Sequence, residues 1–286
     1  MSALDGLGLD DVQMDDALTH LRETRRLTSC DLMADSYLNF AADYDWLFDD
    51  DVLTDGGAIN YPAAARLFQR TSRTSAVLDA SCGTGFNAAA LARRGFEVWA
   101  TDGSEAMIEE AAARFRREQL AIPVRPCLWA DLPGTVAERF DIVLCVGNSL
   151  VHAAGKNAMV EALTGLRRMA RPGGHVVIDS RNWEKLNAER RIVRVANRVV
   201  TRHGQRCLNF YAWEIPERLQ DEHVAHIVFV FEDGAWVETH EYPISFRPFT
   251  VAELRERLEL AGLREVDTDF DHSRDQYCVV AEAIPT

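Results

Sequence analysis

A glycine-rich turn between a strand and a helix is the segment of the sequence best suited to holding a small ligand. Residues 76–78 are apolar and predict a short buried strand, and the chain then passes through Gly83-x-Gly85 into a segment with helical spacing. Glycines permit a sharp turn and let a ligand approach the peptide groups. With Ala88 the spacing fits G-x-G-x-x-A, which is typical of nucleotide-binding turns but does not identify the nucleotide.

Two carboxylates define the charge of the ligand that would fit at this turn. Asp79 ends the strand directly before the glycines, where it would repel a pyrophosphate and attract a cationic group. Asp102 ends the next predicted strand, where an acidic side chain can accept hydrogen bonds from both ribose hydroxyls. A nucleoside with a positively charged tail and no phosphate satisfies both positions. We therefore predict S-adenosylmethionine as the cofactor, with S-adenosylhomocysteine as its product.

A parallel sheet would bring these residues to one edge. From Ser75 onward, apolar strands alternate with helical segments, as in a sheet that helices cover on both faces. The predicted strands are 76–78, 97–100, 124–129, 140–146, 175–179, 263–267 and 277–281. The predicted helices are 87–94, 105–119 with Ser104 as its cap, 157–170, and one from the capping box Thr250-Val-Ala-Glu253 to about Gly262. This order predicts an α/β fold with a Rossmann-like, doubly wound, seven-stranded and mostly parallel sheet.

Alternation with period two interrupts this order in the second half of the chain. Residues 192–246 alternate between apolar and polar, with a turn at 232–234, and predict antiparallel strands inserted at about 187–246. Ile227, Phe229 and Phe231 share one side of these strands. That apolar side would form either a lid over a substrate or the contact face of a homo-oligomer.

The composition excludes several classes of function. The chain has 286 residues, 47% apolar and 27% charged, and its net charge of −14 repels phosphate backbones. No apolar run approaches the ~20 residues that span a bilayer. Residues 1–15 lack the features of a secretory signal. We therefore expect a small-molecule substrate, with neither a nucleic acid nor a membrane as partner.

The cysteines and acidic runs do not indicate a metal site. The six cysteines are scattered without a C-x-x-C pair, which predicts reduced thiols in a cytoplasmic protein. No His or Cys ligand spacing is present, and Asp49-Asp50-Asp51 is most simply a solvated loop. We predict no metal.

Four segments resemble a known family of enzymes. D-A-S-C-G-T-G-F (79–86) followed by T-D-G-S-E-A-M (101–107) is similar to motifs I and II of the class I S-adenosylmethionine-dependent methyltransferases. C-V-G-N-S-L-V-H (145–152) and V-V-I-D-S-R-N-W (176–183) resemble the segments after the fourth and fifth strands of glycine and glycine/sarcosine N-methyltransferases. The resemblance covers roughly residues 35–186 and 242–283.

The resemblance also implies a division of the chain. A methyltransferase domain is expected over residues 75–286, with the antiparallel insertion inside it. Residues 1–74 would form an N-terminal helical cap or lid, with a helical stretch at 16–26 and aromatic residues at helical spacing over 36–50.

On the cofactor side, the resemblance implies contacts with each part of S-adenosylmethionine. The residues at the methionine end would be Asp79, Ser81, Gly83 and Gly85. Those at the ribose and adenosine would be Asp102, Ser104, Met107 and Trp129. Val146 and Asn148 would lie beneath the sulfonium, and the aromatic pair Tyr37 and Trp46 would close over the cofactor.

On the acceptor side, three residues are the catalytic candidates. Arg181 matches an arginine that binds the substrate carboxylate in the family, and a guanidinium can do so with two parallel hydrogen bonds. Asn148 can hold an acceptor amine by its carbonyl oxygen or bond the local backbone. His152 can be a base or a buried imidazole that ties a loop to a helix. His272 and Tyr277 are expected to be structural.

Departures from the family leave the acceptor open. Trp183 stands where the family usually has Tyr, Leu128 replaces a polar residue beside Trp129, and residues 187–241 match poorly. The primary prediction is N-methylation of an amine or amino acid whose carboxylate Arg181 holds.

An alternative is C- or N-methylation of an aromatic or heterocyclic intermediate of secondary metabolism, for example an indole. A wall of aromatic side chains and a base would serve it, the aromatic candidates being Trp183, Phe210, Tyr211 and Trp213. An NAD-dependent oxidoreductase fits G-x-G-x-x-A but is opposed by Asp79 and by the lack of a hydride-relay motif.

Overall fold

The computed structural model describes residues 37–284, except 154, 197 and 233–236. The helix predicted at 16–26, Cys30 and most of the turn predicted at 232–234 lie outside the described residues. None of the helices in this part of the chain has the length and the apolar composition that crossing a bilayer requires.

The larger of two sheets has the predicted, mostly parallel order. Its strands are β1 (Ala76–Asp79), β2 (Glu97–Asp102), β3 (Val124–Pro126), β4 (Phe140–Cys145), β5 (Ala170–Arg181), β11 (Leu263–Thr268) and β12 (Gln276–Ala283). They lie in the order β3-β2-β1-β4-β5-β12-β11, and β12 is antiparallel to both of its neighbours. The strand order reverses between β1 and β4, and the carboxyl end of such a point is where open α/β sheets bind ligands. The predicted fold class is confirmed.

The predicted antiparallel insertion is a second sheet. Its strands are β6 (Val193–Val195), β7 (Val200–Arg202), β8 (Gln205–Glu214), β9 (His223–Glu232) and β10 (Val237–Phe246). β8, β9 and β10 pair in sequence, and β6 and β7 pair along the other edge of β8. All of these pairs are antiparallel, as the period-two alternation predicted.

The helices predicted near 87–94, 105–119, 157–170 and 250–262 are present. The described residues also form helices for which no bounds were predicted, the first of which contains Asp50 and Asp51 of the expected acidic loop. The helices are α1 (Asp50–Asp55), α2 (Pro62–Arg70), α3 (Phe86–Arg93), α4 (Glu105–Arg117), α5 (Leu132–Thr135), α6 (Lys156–Met169), α7 (Trp183–Glu189) and α8 (Val251–Leu260). The Ser104 hydroxyl accepts a hydrogen bond from the Met107 N–H and begins α4. Thr250 and Glu253 form the complete capping box that begins α8.

Apolar side chains alternate between two cores, one on each face of the larger sheet. Leu78 and Val143 belong to one core, whereas their chain neighbours Val77 and Ile142 belong to the other. All four are fully buried. Burial of such a side chain contributes roughly 1.5–3 kcal/mol, so the two cores hold the sheet while its polar strand ends stay available.

One predicted strand ends earlier than expected. β3 ends at Pro126, and Trp129 lies in the 3-10 turn Trp129–Asp131 instead of in the strand. Proline has no N–H for the sheet, and the Cys127 N–H donates to the Asp102 carbonyl oxygen at 2.8 Å. The chain therefore turns toward the end of β2.

Residues 37–48, which we call the N-terminal strap, cover the apolar face of the inserted sheet. Phe40 packs against Phe229 with ring centroids 6.2 Å apart, and Trp46 packs edge-on against Phe231 at 5.4 Å. Phe229 and Phe231 are buried by these contacts. This face is therefore not available for the subunit contact that its apolar pattern suggested.

Polar contacts fix the N-terminal strap to both sheets. Asp45 accepts hydrogen bonds from the Thr84 hydroxyl in the glycine turn and from the Arg114 guanidinium on α4. From the inserted sheet, Arg202 donates to the carbonyl oxygens of Asp45 and Phe48. The strap thereby links the glycine turn to the inserted sheet.

Gly85 is a position where the packing of α3 against α4 excludes a side chain. Its φ is +82°, and a Cβ atom there would lie 2.7 Å from the Phe115 ring. Gly204 has a similar φ of +84°, with no described atom within 4 Å of the position that a Cβ would occupy.

We predict that Gly204→Ala lowers the free energy of unfolding by about 1 kcal/mol through backbone strain. Gly85→Ala should cost a further ~1–3 kcal/mol through overpacking. Urea titration measures both, and equal losses would refute the packing argument.

Candidate active site

A cavity of about 1350 Å³ opens at the carboxyl ends of β1, β2, β4 and β5, beneath the N-terminal strap and the inserted sheet. Pockets for one small molecule are typically roughly 300–1,000 Å³, so this cavity has room for more than one ligand. The predicted site residues that line it are Tyr37, Ser81, Gly83, Asp102, Ser104, Met107, Trp129, Val146, Asn148, His152 and Arg181. The predicted residues that do not line it are Trp46, Asp79 and Gly85.

Asp102 organises the turn that follows β1. Its Oδ2 accepts a hydrogen bond from the Gly83 N–H and its Oδ1 accepts one from the Ser104 N–H, both at 2.9 Å. Burial raises the pKa of Asp102, and these N–H donors oppose that rise. A carboxylate has about four lone-pair sites, so acceptor capacity remains for hydroxyl groups of a ligand.

Asp79 lies beneath the cavity rather than on its wall. Its side chain is fully buried, and neither carboxylate oxygen has a hydrogen-bond partner among the described residues. Burial raises the pKa of Asp79 to about 7, with smaller contributions from the negative charges of Asp102 and Asp179. A cationic ligand group above this carboxyl would favour its ionised form, so the group fits a positively charged ligand.

Gly85 and Ser81 fix the conformation of the loop that follows β1. Gly85 is the N-cap of α3, and its Cα faces the Phe115 ring, so the structure shows a packing role for it. The Ser81 hydroxyl donates to the Val146 carbonyl oxygen and accepts from the Val146 N–H, both at 2.9 Å. Ser81 thereby ties the loop after β1 to the loop after β4.

The turn after β3 forms an apolar wall. The Trp129 indole N–H donates to the Ala80 carbonyl oxygen at 2.8 Å, which holds the ring beside the glycine turn. Met107 is buried in this wall, and Leu128 lies at the cavity mouth with 62% of its surface exposed. Leu128 therefore offers a ligand apolar contact and no hydrogen bond.

Of the aromatic pair predicted to close over the cofactor, Tyr37 lines the cavity and Trp46 does not. Trp46 packs between Phe231 and Arg202, away from the cavity. Tyr44, which sequence reasoning missed, lines the cavity instead. Tyr44–Leu47 is a 3-10 helix, which turns by about 120° per residue, so side chains two positions apart face different sides.

His152 is a buried imidazole between the loop after β4 and the N-terminal strap. Its Nε2 lies 2.9 Å from the Tyr37 hydroxyl oxygen, and its ring packs against Phe246. Burial lowers the pKa of His152 to about 4, although a hydrogen bond with the Ser245 backbone opposes this shift. The ring is therefore uncharged at neutral pH, which favours the tying role over that of a strong base.

Asn148 joins the ends of β4 and β5 by two hydrogen bonds. Its backbone N–H donates to Asp179 Oδ1 at 2.8 Å, and its side-chain Oδ1 accepts from the Arg181 N–H at 2.9 Å. Its φ of +58° is left-handed, a conformation that asparagine tolerates better than most residues. The carbonyl oxygen expected to hold an amine is thus already bonded to backbone, with one lone pair left.

Asp179 is a second residue that sequence reasoning missed. It lines the cavity, although only 4% of its surface is exposed. Burial raises its pKa to about 6, while the Asn148 and Gly147 N–H groups and the Arg181 charge oppose that rise. The sequence signal was a charged residue directly after the apolar residues V-V-I. Burying a charge costs free energy, so a charge in a buried strand often belongs to a functional site.

The Arg181 guanidinium lies at the cavity against two aromatic rings. Its Cζ is 5.0 Å from the ring centroid of Tyr211 and 5.5 Å from that of Trp213. The two rings stack at 6.0 Å with an angle of 10°. Within the described part of the chain, no carboxylate lies within 4.0 Å of the guanidinium nitrogens, although the Arg181 charge acts on Asp179 from farther away, and the buried Nε has no hydrogen bond. This cation is therefore held in place by the rings and remains free to bind an anion.

Other aromatic and basic candidates lie off the cavity. Those that do not line it are Trp183, Phe210, Trp213, His272 and Tyr277. Trp183 is core, packed against Trp213 and Phe246. His272 is exposed beside Phe270, and Tyr277 is buried. Of the proposed aromatic wall, Tyr211 alone lines the described cavity.

The described residues contain no group of three or more His, Cys, Asp or Glu side chains that could hold a metal ion. The cysteines among them are buried and unpaired: Cys82, Cys127, Cys145, Cys207 and Cys278.

Replacement of His152 should change how stability depends on pH. The folded-state pKa of about 4 is below the ordinary value of 6.5, so the unfolded chain takes up this proton first as pH falls. Wild-type protein should lose about 3 kcal/mol more stability between pH 6.5 and 4 than His152→Gln, which keeps a partner for Tyr37. Urea titrations across this range measure the difference, with His272→Gln as the exposed control. Parallel curves for wild type and His152→Gln would exclude a buried neutral imidazole.

Comparison with known sequences finds methyltransferases. A family model described as "Methyltransferase domain" matches residues 77–174. A glycine/sarcosine N-methyltransferase of Parasynechococcus marenigrum (strain WH8102) is 25% identical over 202 residues, 70% of this chain and 66% of that protein. A glycine N-methyltransferase of Rattus norvegicus is 36% identical over 119 residues, 38% of this chain and 41% of that protein. The matches therefore span from about two fifths to about two thirds of these relatives.

Comparison with solved structures finds the same fold. An S-adenosylmethionine-dependent methyltransferase from Clostridium acetobutylicum superimposes with a TM-score of 0.62 at 15% sequence identity, covering 95% of this chain and 100% of that one. The strand order, the glycine turn with its two carboxylates and the sequence matches agree with one another. Residues 77–174 thus match a methyltransferase domain, and the chain is similar in sequence and fold to S-adenosylmethionine-dependent methyltransferases.

Proposed function

We propose that the protein methylates the amine nitrogen of a small molecule that carries a carboxylate, such as an amino acid. The observation that carries this proposal is the Arg181 guanidinium, which borders the cavity and forms no ion pair within 4.0 Å among the described residues. A guanidinium binds a carboxylate through two parallel hydrogen bonds. The names of the two relatives above, an N-methyltransferase of glycine and sarcosine and one of glycine, support an amino-acid acceptor.

The cofactor would occupy the part of the cavity between the glycine turn and the turn after β3. Asp102 would accept hydrogen bonds from the ribose hydroxyls, and the Asp79 carboxylate below would complement the cationic end. Further contacts would come from residues that line this part: Ser81, Gly83, Ser104, Met107, Trp129 and Val146. When bound, S-adenosylmethionine supplies a methyl group that its sulfonium has already activated.

The residues of the chain would position the acceptor atom and exclude water from the site. Methyl transfer requires an acceptor atom about 3–3.5 Å from the methyl carbon and in line with the breaking bond. Arg181 would set this position through the acceptor carboxylate, and Asn148 holds the backbone of Arg181. Tyr37 and Tyr44 of the N-terminal strap, with Phe246 of the inserted sheet, border the cavity and would exclude water.

A second candidate is C- or N-methylation of an aromatic or heterocyclic compound. The observation that favours it is the set of apolar and aromatic side chains that line the same cavity as Arg181, namely Tyr61, Tyr211, Ile227, Ile244 and Phe246. A glycine acceptor would leave most of this wall unused. An aromatic amino acid would satisfy both the guanidinium and the wall.

The two candidates can be separated by measuring S-adenosylhomocysteine formation with matched acceptors. One set contains glycine, sarcosine, phenylalanine and tryptophan. The other contains phenethylamine and tryptamine, which lack the carboxylate, together with indole. Turnover confined to the first set supports the proposal. Equal kcat/KM for tryptophan and tryptamine would exclude a carboxylate-binding role for Arg181, and turnover of indole alone would establish the second candidate.

Substitution of Arg181 should affect the acceptor and not the cofactor. Arg181→Gln is expected to lower kcat/KM for the amino acid by roughly 30- to 1,000-fold, because truncating one partner of a buried charge pair costs about 2–4 kcal/mol. Arg181→Lys keeps the charge without the fork and should recover only part of this loss. Calorimetry should give an unchanged Kd for S-adenosylhomocysteine. Arg139→Gln, at an exposed position, is the control, and wild-type turnover by Arg181→Gln would overturn the proposal.

Substitution of Asp102 should affect the cofactor. Asp102→Ala removes the acceptor for ligand hydroxyls and the two bonds that shape the glycine turn. Hydrogen bonds to a charged group contribute about 1.5–3 kcal/mol, so the Kd for S-adenosylhomocysteine should rise by about 10- to 100-fold. Asp131→Ala, an exposed acid after β3, should leave this Kd unchanged. An unaltered Kd for folded Asp102→Ala would show that the ribose lies elsewhere.

A further inference from the structure

We propose that Asp179 binds the ammonium group of the acceptor and takes its proton before methyl transfer. This inference rests on the proposed function, because it requires an acceptor that carries both an amine and a carboxylate. The inference gives Asp179, the negative charge at the cavity, a role that complements the one proposed for the positive charge of Arg181.

Asp179 and Arg181 present opposite charges to the same part of the cavity. They lie two residues apart on β5, so both side chains leave the strand on the same face, and both line the cavity. Within the described residues, neither forms an ion pair. A zwitterion with its carboxylate on Arg181 and its ammonium on Asp179 would neutralise both. Without an ammonium group on the acceptor, the buried Asp179 charge would be balanced only by the Asn148 and Gly147 N–H groups and by the more distant Arg181 charge.

The surroundings of Asp179 suit a proton acceptor. The Asn148 N–H occupies one site on Oδ1, and the carboxylate has acceptor capacity beyond that bond. The N–H groups of Asn148 and Gly147 stabilise the ionised form, while burial keeps the pKa near 6. The group is therefore ionised at neutral pH but more basic than an exposed aspartate, as proton transfer in this pH range requires.

Several titratable groups share this environment and bear on any pH profile. Those that interact electrostatically with Asp179 are Asp79 on β1, Cys145 on β4, Tyr277 and Cys278 on β12, Arg181 on β5, and Tyr44 and Tyr61. The tyrosine and cysteine pKa values are raised and lie far above neutral. Asp79, with a pKa of about 7, is thus the main competitor of Asp179 in this range.

The step balances without another reactant. The ammonium nitrogen transfers one proton to the Asp179 carboxylate and becomes a neutral amine. The amine lone pair then forms the N–C bond as the C–S bond of the methyl donor breaks, and that electron pair stays on sulfur. The methylated product leaves as an ammonium ion, and the proton on Asp179 passes to solvent when the site opens.

The pH dependence of kcat/KM tests the inference, with the best amino acid of the panel above and saturating cofactor. If Asp179 takes the proton, wild-type kcat/KM should be level between about pH 6 and the pKa of the amine, because the ammonium form is the substrate. Asp179→Asn keeps an oxygen for the Asn148 N–H but no base. Its kcat/KM should rise about tenfold per pH unit through the same range, because only the scarce neutral amine reacts.

Controls assign the profile to Asp179. Asp79→Asn is expected to weaken cofactor binding, so its activity should fall, but at saturating cofactor its profile should keep the level region. Loss of the level region in this variant would assign the proton acceptor to Asp79 instead of Asp179. Asp267→Asn, a surface acid paired with Arg66, makes the same chemical change away from the site and should match wild type. A wild-type profile that itself rises tenfold per pH unit would overturn the inference while leaving N-methylation intact. Turnover of no amine in the panel would overturn both.

Binding gives a readout that does not depend on turnover. In the presence of S-adenosylhomocysteine, calorimetry compares phenylalanine with 3-phenylpropionate, which lacks the amine. Asp179→Asn should weaken binding of phenylalanine by about 10-fold or more and leave 3-phenylpropionate unchanged or improved. Equal weakening of both ligands would indicate a structural role and contradict the inference.

Discussion

Asn148 joins the ends of β4 and β5, and the acceptor side of the site depends on this link. Its N–H fixes the Asp179 carboxylate, and its side-chain oxygen fixes the backbone of Arg181. The two bonds run in opposite directions between the same strand ends, so they hold an anion and a cation at set positions. Tyr211 and Trp213 then restrain the guanidinium from the inserted sheet. The larger sheet and the insertion thus both contribute residues to the proposed acceptor site.

The buried carboxylates at the ends of β1 and β5 lower the stability of the fold. Asp79 and Asp179 have raised pKa values because burial disfavours their charge, so the unfolded chain ionises them more readily at neutral pH. By linkage, both groups destabilise the fold above about pH 4. Two apolar cores offset this cost, as do the contacts that Asp45 makes with Thr84 and Arg114. Ligands with cationic groups would lower the cost at both carboxylates, which couples binding to stability.

The sequence was sufficient for the features that depend on local pattern. The strand–glycine–helix turn, the cap at Ser104 and the alternation of the inserted strands depend on spacing along the chain, and all are present. Features that depend on tertiary contacts were missed or misassigned. Trp46 was assigned to the site from the family resemblance, whereas the structure places Tyr44 at the cavity and packs Trp46 against Phe231.

Asn148 and Asp179 show the same limit from the other side. Their side chains form hydrogen bonds between the ends of β4 and β5, which are adjacent in the sheet. The bonded residues are 31 and 33 positions apart in the sequence. No local pattern reveals that the Asn148 oxygen is already bonded. Asp179 could have been found from its charge within an apolar strand. That it lines the cavity is visible only in the structure.

The most direct test of the account is a crystal structure of the protein with S-adenosylhomocysteine and its best amino-acid acceptor. The account predicts the ribose hydroxyls on Asp102, the acceptor carboxylate on both terminal nitrogens of Arg181, and the acceptor nitrogen within hydrogen-bond distance of Asp179. An acceptor whose carboxylate points away from Arg181, or whose nitrogen lies far from Asp179, would contradict it.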